Sequence, residues 1–303
     1  MIEEKVCFLT RLVAEPGPRL LKEAFAEVRG NFEERNLDRA ELLAGVREAD
    51  ALYCMLTDTI DAEVLDAAGP RLRVVSNMAV GYDNVDVPAA TARGVLVTNT
   101  PGVLTETTAD LAWALLLAAA RRVVEGDRLV RGGGFHMWSP TMLLGGDVNG
   151  KTLGIVGMGR IGQAVARRST GFGMKVLYTR PSGPLDTGSV PTGADWLHVD
   201  SLEELLRNSD FVSLHVPLSE ETRHLLGRRE FELMGPQGVL VNTSRGPVVD
   251  EAALVEALAT GTLGAAALDV YEREPELAPG LSALTNVVLL PHLGSATRQT
   301  RAR

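Results

Sequence analysis

The sequence predicts an α/β protein with two doubly wound parallel-sheet domains. Three observations lead to this prediction: two series of short apolar strand candidates alternating with helical patterns, a long apolar helical segment between the series, and a glycine-rich run at residues 156–162. Short apolar strands that alternate with helices are typical of parallel sheets covered by helices on both faces.

The bulk composition excludes several classes of protein. The chain has 303 residues, 45% hydrophobic and 23% charged, with a formal net charge of −9, so neither nucleic acid nor an anionic membrane is an expected partner. Its longest strongly apolar run, residues 111–120, is too short for a membrane span, which needs about 20 residues. The acidic N-terminus lacks a signal-peptide pattern. Cys7 and Cys54 lie in apolar runs, as expected for buried, reduced thiols of a cytoplasmic protein.

The first series of elements predicts a small domain over residues 1–99, to which residues 292–303 return. Its strand candidates are residues 5–9, 50–56, 72–78 and 95–99, and its helical patterns are residues 18–28, 39–47, 62–69 and 85–94. One long apolar helix is then predicted from about Val103 to the glycines at 132–134, as a connector between the domains.

The second series predicts a larger domain over residues 100–291. Its six strand candidates are residues 152–157, 175–179, 210–217, 238–244, 265–271 and 287–292, with helices at 160–171, 201–208, 228–234 and 250–260. Six strands with crossover helices indicate a doubly wound sheet of the dinucleotide-binding (Rossmann) type.

The glycine-rich run carries a nucleotide-binding signal. Gly157, Gly159 and Gly162 fit the pattern G-x-G-x-x-G, and they follow an apolar strand and open an amphipathic helix. In that context the glycines permit a tight turn, a close approach of the backbone to a pyrophosphate, and close packing of helix on strand. The alternative is a glycine-rich turn that binds nothing.

The end of the next strand distinguishes NADP from NAD. An acidic residue there would hold a free ribose 2′-hydroxyl, but this chain has Thr179 and Arg180. An arginine at this position accommodates a 2′-phosphate, so we expect NADPH to be favoured over NADH. The alternative is that Arg180 is an ordinary surface residue.

Three ionisable residues near strand ends suggest a reactive site. Arg245 and Glu274 lie just past strand candidates and His292 ends one, and ligands bind at the carboxyl ends of parallel strands. Histidine can transfer a proton near neutral pH, a carboxylate can orient it, and an arginine fork can bind a carboxylate. Taken singly, Glu274 could be a plain loop acid, and Arg245 could cap a helix or pair with Asp250.

Several motifs resemble those of the D-isomer-specific 2-hydroxyacid dehydrogenases. They are "GKTLGIVGMGRIGQAVARR", "VLVNTSRGPVVDEAALVEAL", "GAAALDVYEREP" and "LLPHLGSAT". Within that family the chain is most similar to the glyoxylate/hydroxypyruvate reductases, on "SNMAVGYDNVD", "GGFHMWSP" and "GSATRQTR". The resemblance implies a flavodoxin-like substrate domain beside the Rossmann domain.

The resemblance also implies roles for individual residues. His292 would donate a proton to the carbonyl of a small 2-oxo acid, Glu274 would orient His292, and Arg245 would bind the substrate. Residues on other segments would complete the site: the N–H groups of Val80 and Gly81 would cradle the substrate carboxylate, and Trp138 would reach the site of a partner in a homodimer. The expected cofactor contacts are Gly157, Gly159, Arg160, Ile161, Gly162, Thr179, Arg180, Pro217, Thr243 and Asp269. No metal is expected, because Arg245 and His292 would supply the electrophilic assistance.

The predicted reaction is reduction of glyoxylate to glycolate, or of hydroxypyruvate to D-glycerate, by NADPH. Within the same class, another 2-hydroxy acid or phosphite remains an alternative substrate. A protein of a different class, a non-catalytic NAD(P)-sensing corepressor, could keep the same residues. Family members usually continue with a further helix beyond "RQTRAR", so either that helix is missing from the sequence as given or domain closure has one support fewer.

Overall fold

The computed structural model describes residues 4–303 and divides into two compact units. One unit comprises the chain up to Leu104 together with Ala296–Arg303, and the other comprises Thr105–Ser295. Each unit is built on one parallel sheet flanked by helices. The architecture is therefore two parallel-sheet α/β domains, as the sequence predicts.

The first unit holds a five-stranded sheet in the order β2-β1-β3-β4-β5. Its elements are β1 (Val6–Leu9), α1 (Gly17–Ala24), β2 (Glu27–Gly30), α2 (Arg39–Gly45), β3 (Ala51–Cys54), α3 (Ala62–Ala68), β4 (Val74–Asn77), α4 (Val87–Ala92) and β5 (Leu96–Thr98). All pairings are parallel. This strand order is that of flavodoxin-like folds.

The start of this unit corrects one sequence prediction. Residues 18–28 were expected to be helical, but α1 ends at Ala24 and β2 follows it at the edge of the sheet. β2 has the sequence EVRG and no buried residue, so it lacks the apolar pattern that marks an interior strand.

The second unit holds a seven-stranded sheet in the order β12-β11-β10-β9-β6-β7-β8. Its strands are β6 (Thr152–Val156), β7 (Lys175–Thr179), β8 (Trp196–His198), β9 (Phe211–Leu214), β10 (Val239–Asn242), β11 (Ala265–Leu268) and β12 (Val287–Leu289). Its helices are α5 (Thr105–Ala120), α6 (Val123–Arg131), α7 (Arg160–Ser169), α8 (Leu202–Arg207), α9 (Arg228–Met234) and α10 (Glu251–Thr260); the last helix, α11 (Arg298–Arg301), belongs to the first unit. The order reverses between β6 and β9, where such sheets bind dinucleotides.

The predicted single helix over residues 103–133 is two helices. α5 ends at Ala120, and Arg122 adopts a left-handed backbone with φ of 52° before α6 begins. A hydrophobic pattern does not report one left-handed residue, so the break was not visible in the sequence. Among the described residues, no helix combines the length and apolar character required to cross a bilayer.

Candidate active site

The glycine-rich turn between β6 and α7 is shaped by close backbone contacts. Gly157 has φ of +97°, and a Cβ there would come within 2.6 Å of the His215 carbonyl oxygen. A Cβ on Gly162 would lie 2.3 Å from the Gly157 carbonyl oxygen. Both positions therefore require glycine, one because of its conformation and contact with the β9 end, the other because the helix packs on the turn.

The amino end of α7 is open to a ligand. Gly159 is its N-cap residue and offers no side-chain cap, and a Cβ at Gly159 would meet no atom within 4 Å. The N–H groups of Arg160 and Ile161 begin this ten-residue helix, where the backbone dipole favours an anion. The turn thus fits a pyrophosphate.

Arg180 lies directly beyond β7, as predicted. Its Nε donates a 2.6 Å hydrogen bond to Ser182 Oγ, which holds the guanidinium beside the strand end. Thr179 is the last residue of β7, and its carbonyl oxygen accepts the Gly157 N–H at 3.1 Å. Pro217, beyond the end of β9, is exposed. The carboxyl end of β7 is therefore next to the glycine turn.

The turn after β10 presents Thr243 and Arg245. Asn242 is buried, accepts the Ser244 N–H at 3.0 Å through its side-chain oxygen, and donates from Nδ2 to the Arg245 carbonyl oxygen at 3.0 Å. The Arg245 guanidinium donates to the Ser244 carbonyl oxygen at 2.9 Å. The buried Thr243 Oγ1 has no hydrogen-bond partner within residues 4–303. Such a hydroxyl can form a hydrogen bond with a water molecule or a ligand.

Gly246 brings this turn against the segment after β11. A Cβ on Gly246 would lie 1.8 Å from the Tyr271 carbonyl carbon and 2.4 Å from the Glu272 nitrogen. Only glycine permits this approach, which places Arg245 close to Glu274. The prediction from sequence did not include Gly246 or Asn242, although a polar Asn at the end of the apolar run "VLVN" was a usable signal.

His292 and Glu274 form a hydrogen-bonded pair. His292 Nδ1 lies 2.9 Å from Glu274 Oε2, and each side chain is 26% exposed. The other carboxylate oxygen, Glu274 Oε1, accepts the Tyr271 N–H at 3.1 Å. The carboxylate is thus held from two sides, and the second ring nitrogen, His292 Nε2, is left for a ligand.

The electrostatics of the pair favour an ionised carboxylate. Burial raises the pKa of Glu274, but the hydrogen bond and positive charge of His292, with further contributions from the Tyr271 N–H and the Arg245 guanidinium, lower it below its usual value. Arg245, Glu274 and His292, predicted separately from three strand ends, therefore form one interacting group.

His292 has a strained backbone that Asp269 supports. Its φ is 55°, a region that non-glycine residues adopt at a cost of about 1–3 kcal/mol. The His292 N–H donates to the Asp269 carbonyl oxygen at 2.9 Å, and the Asp269 carboxylate accepts the N–H groups of Leu293 and Gly294 at 2.6 and 2.8 Å. Asp269 is buried, and burial raises its pKa despite these bonds. In this structure Asp269 shapes the turn that presents His292.

In the first unit, the loop after β4 presents two backbone donors. The carbonyl oxygens of Val80 and Gly81 accept from Asn99 Nδ2 at 2.8 Å and Asn77 Nδ2 at 2.9 Å. Within the described chain, the N–H groups of Val80 and Gly81 donate to no protein acceptor. Fixed carbonyls and available N–H groups are what a carboxylate cradle requires.

Trp138 belongs to an exposed apolar segment after α6. It is 74% exposed, and Phe135 and Met137 nearby are 52% and 70% exposed. Exposed aromatic clusters of this kind are typical of contact surfaces.

Comparison with known proteins identifies the family of this chain. Residues 113–294 match the family model for the D-isomer specific 2-hydroxyacid dehydrogenase NAD-binding domain. The glyoxylate reductase of Thermococcus gammatolerans is 53% identical over 296 residues, covering 96% of this chain and 86% of that protein. The glyoxylate reductase of Aeropyrum pernix is 55% identical over 268 residues, covering 86% of this chain and 78% of that protein.

Solved structures show the same relationship. A protein from Thermus thermophilus has 48% identity and a TM-score of 0.88, covering 98% of this chain and 92% of that one. The NADPH-dependent glyoxylate/hydroxypyruvate reductase of Sinorhizobium meliloti, solved with NADP and malonate, has 34% identity and a TM-score of 0.84. The match covers 99% of this chain and 89% of that one. The chain therefore belongs to the D-isomer-specific 2-hydroxyacid dehydrogenases and is an NAD(P)-dependent oxidoreductase.

Proposed function

We propose that this protein reduces glyoxylate to glycolate with NADPH, and hydroxypyruvate to D-glycerate by the same chemistry. The observation that carries the proposal is the pair of His292 and Glu274 next to Arg245, at the carboxyl edge of a Rossmann sheet. The relatives named glyoxylate reductase support the choice of substrate. The Sinorhizobium meliloti enzyme supports hydroxypyruvate and NADPH.

Each reactive residue has a proposed task. The Arg245 guanidinium binds the carboxylate and the carbonyl oxygen of the 2-oxo acid, for which its planar fork is suited. His292 donates a proton from Nε2 to the carbonyl oxygen, while Glu274 holds Nδ1 and so fixes the orientation of the ring. The N–H groups of Val80 and Gly81 bind the substrate carboxylate.

Three observations support NADPH as the cofactor. The glycine turn and the uncapped start of α7, with Gly157, Gly159, Arg160, Ile161 and Gly162, suit the pyrophosphate. Thr179 and Arg180 suit the adenosine ribose and its 2′-phosphate. Thr243 and Asp269 would flank the nicotinamide ribose and carboxamide, and Pro217 would be a further cofactor contact; the Thr243 hydroxyl, which has no partner within residues 4–303, supports this. When bound, NADPH supplies the hydride for the carbonyl carbon.

The domain and assembly assignments are also proposals. Residues 100–291 would form the cofactor-binding domain and residues 1–99 the substrate domain, toward which residues 292–303 would return; of these last residues, Ala296–Arg303 group with the first unit. The exposed Trp138 segment supports a homodimer in which this residue reaches the partner's site. Cys7 and Cys54, both buried and unpaired, support a reducing cytoplasmic environment.

The proposal is tested by measuring kcat/KM for NADPH and NADH with glyoxylate, hydroxypyruvate, other 2-oxo acids and, in the oxidising direction, phosphite. We expect glyoxylate and hydroxypyruvate with NADPH to give the highest values. A preference for phosphite, or for a larger 2-oxo acid, would overturn the substrate assignment. Absence of turnover with every substrate, together with tight binding of NADPH, would favour the nucleotide-sensing alternative.

A further inference from the structure

The loop that carries Glu274 is fastened at both ends by one buried side chain. Glu251, the first residue of α10, is only 3% exposed. Its Oε1 accepts the Glu272 N–H at 2.6 Å, and its Oε2 accepts the Ala278 N–H at 3.2 Å. Glu251 therefore ties together the two ends of the segment 272–278, which contains Glu274.

We call the two hydrogen bonds from the Glu272 and Ala278 N–H groups to Glu251 the clamp. The clamp requires a carboxylate on a side chain as long as that of glutamate. Two backbone donors approach two different oxygens, and an ionised carboxylate accepts at both. A glutamine would present an amide NH2 to one of these donors, and an aspartate is shorter by one methylene. A buried acid that lacked such partners would be strongly destabilising, so the two hydrogen bonds explain why Glu251 is tolerated there.

The clamp bears directly on the geometry of the reactive pair. Glu274 lies between the two fastened residues, and its contact with His292 Nδ1 spans 2.9 Å. Loosening either end of the loop would let the Glu274 carboxylate move away from the ring, and hydrogen bonds weaken steeply with distance and angle. No other side chain bonds both ends of this segment among the described residues.

We propose that Glu251 is a positioning residue that sets the Glu274–His292 contact by holding the 272–278 loop. This inference rests on the proposed function for its catalytic meaning, but the contact itself can be measured without turnover. Glu251 does not touch the reacting atoms and acts only through Glu274.

A purely electrostatic role for Glu251 would have the opposite sign. Burial raises the pKa of Glu251, the two N–H groups oppose this, and the negative charges of Glu272 and Glu274 raise it further. Removing the Glu251 charge would relieve this repulsion and favour the ionised Glu274 that His292 contacts. The positioning role predicts instead that the contact weakens.

The test is a double-mutant cycle on kcat with the best 2-oxo acid substrate. Glu251→Gln should lower kcat about tenfold and leave the KM for NADPH unchanged, and it should have no further effect in the Glu274→Gln background. Glu251→Asp, which keeps the charge, should behave like Glu251→Gln. Glu256→Gln, on the exposed side of α10, is the control and should retain wild-type kcat. Multiplicative losses in the double variant, or a wild-type kcat for Glu251→Gln, would overturn the inference.

A second readout separates this inference from the proposed function and from misfolding. In NMR spectra, the Nδ1 proton of His292 should give a protected downfield signal that disappears in His292→Ala. That signal should be lost or exchange faster in Glu251→Gln and Glu251→Asp and persist in Glu256→Gln, with circular dichroism confirming that each variant is folded. If the wild type reduces no 2-oxo acid, the proposed function fails. An unchanged Nδ1 signal in the folded Glu251 variants contradicts the clamp regardless of turnover.

Discussion

Two glutamates of the 272–278 loop each pair with a histidine from another part of the chain, and only one of the two pairs is proposed to react. His292 Nδ1 lies 2.9 Å from Glu274, and His224 Nε2 lies 2.8 Å from Glu272. In both histidines φ is positive, at 55° and 49°. The two pairs therefore share a similar distance and a similar backbone φ but use different ring nitrogens, and hydrogen-bond distance alone does not identify a reactive histidine.

The surroundings of the two pairs differ. His292 stands at the carboxyl edge of the sheet, where the Arg245 guanidinium contributes to lowering the pKa of Glu274. The His224 side chain is 43% exposed, compared with 26% for the His292 side chain. The backbone N–H of His224 donates to the Pro247 carbonyl oxygen. A reactive pair requires an adjacent group that binds the substrate and a place at the cofactor edge.

A large loss of activity is expected from removing Arg245, the proposed substrate-binding cation beside the His292–Glu274 pair. Arg245→Ala should lower kcat/KM for glyoxylate by about 10²–10⁴-fold, because two charged hydrogen bonds are each worth about 1.5–3 kcal/mol. Arg223→Ala, beside His224 and exposed, is the matched control and should stay near wild type. Equal losses in the two variants would remove the distinction between the pairs.

Substituting Glu274 and Glu272 in turn allows a direct comparison of the two histidine–glutamate pairs. Glu274→Gln should lower kcat by about 10–100-fold, because the glutamine amide can no longer serve as the ionised acceptor for His292 Nδ1. Glu272→Gln should cost much less, since its partner His224 has no proposed role in the reaction. Steady-state kinetics over pH 5–9 would measure both. A larger loss in Glu272→Gln would mean that the reactive histidine had been assigned wrongly.

The cofactor side gives a smaller, selective effect. Arg180→Asp should lower kcat/KM for NADPH relative to NADH by about tenfold to a hundredfold, because a charge-assisted contact with the 2′-phosphate is replaced by repulsion. Lys175→Asp, at the opposite end of β7, makes the same charge change as a control. If Arg180→Asp changes kcat/KM equally for NADPH and NADH, Arg180 does not bind the 2′-phosphate, although the dehydrogenase assignment would stand.

The smallest effect is on stability. The pKa of Glu274 in the folded protein is below its unfolded value of about 4.3. Its contribution to stability is therefore present above that pH and is lost as the pH falls through the folded value. Glu274→Gln should lower the free energy of unfolding at pH 7 by less than about 1 kcal/mol and reduce its decline in acid. Urea titrations at pH 7 and pH 4 would measure this, and a variant with an undiminished acid decline would contradict the pKa shift.

The sequence predicted the interior of both sheets better than their edges. The apolar runs of β3, β4, β6 and β9–β12 were recognised because buried parallel strands are continuously apolar. β2 and β8 were missed because neither lies in an apolar run: β2 has the sequence EVRG and β8 the sequence WLH, and neither has a buried position. The turn at Arg122, which divides α5 from α6, depends on one left-handed residue that no periodicity reports.

The candidate site was predictable in its parts but not in its arrangement. Arg245, Glu274 and His292 could be found because each follows an apolar run that becomes a strand. The contacts that assemble them could not be, because they run through backbone atoms: Gly246 against Tyr271, and Asp269 against Leu293 and Gly294. The role of Glu251 could not be predicted for the same reason, because its partners are the backbone N–H groups of two residues far along the chain.

The most direct test of the central claim is the rate of NADPH oxidation, followed by its absorbance, with glyoxylate and the two histidine variants. His292→Ala should lose about 10²–10⁴-fold in kcat while it still binds NADPH, and His224→Ala should retain the wild-type rate. Undiminished reduction of glyoxylate by His292→Ala, or a comparable loss in His224→Ala, would contradict the assignment of His292 as the proton donor.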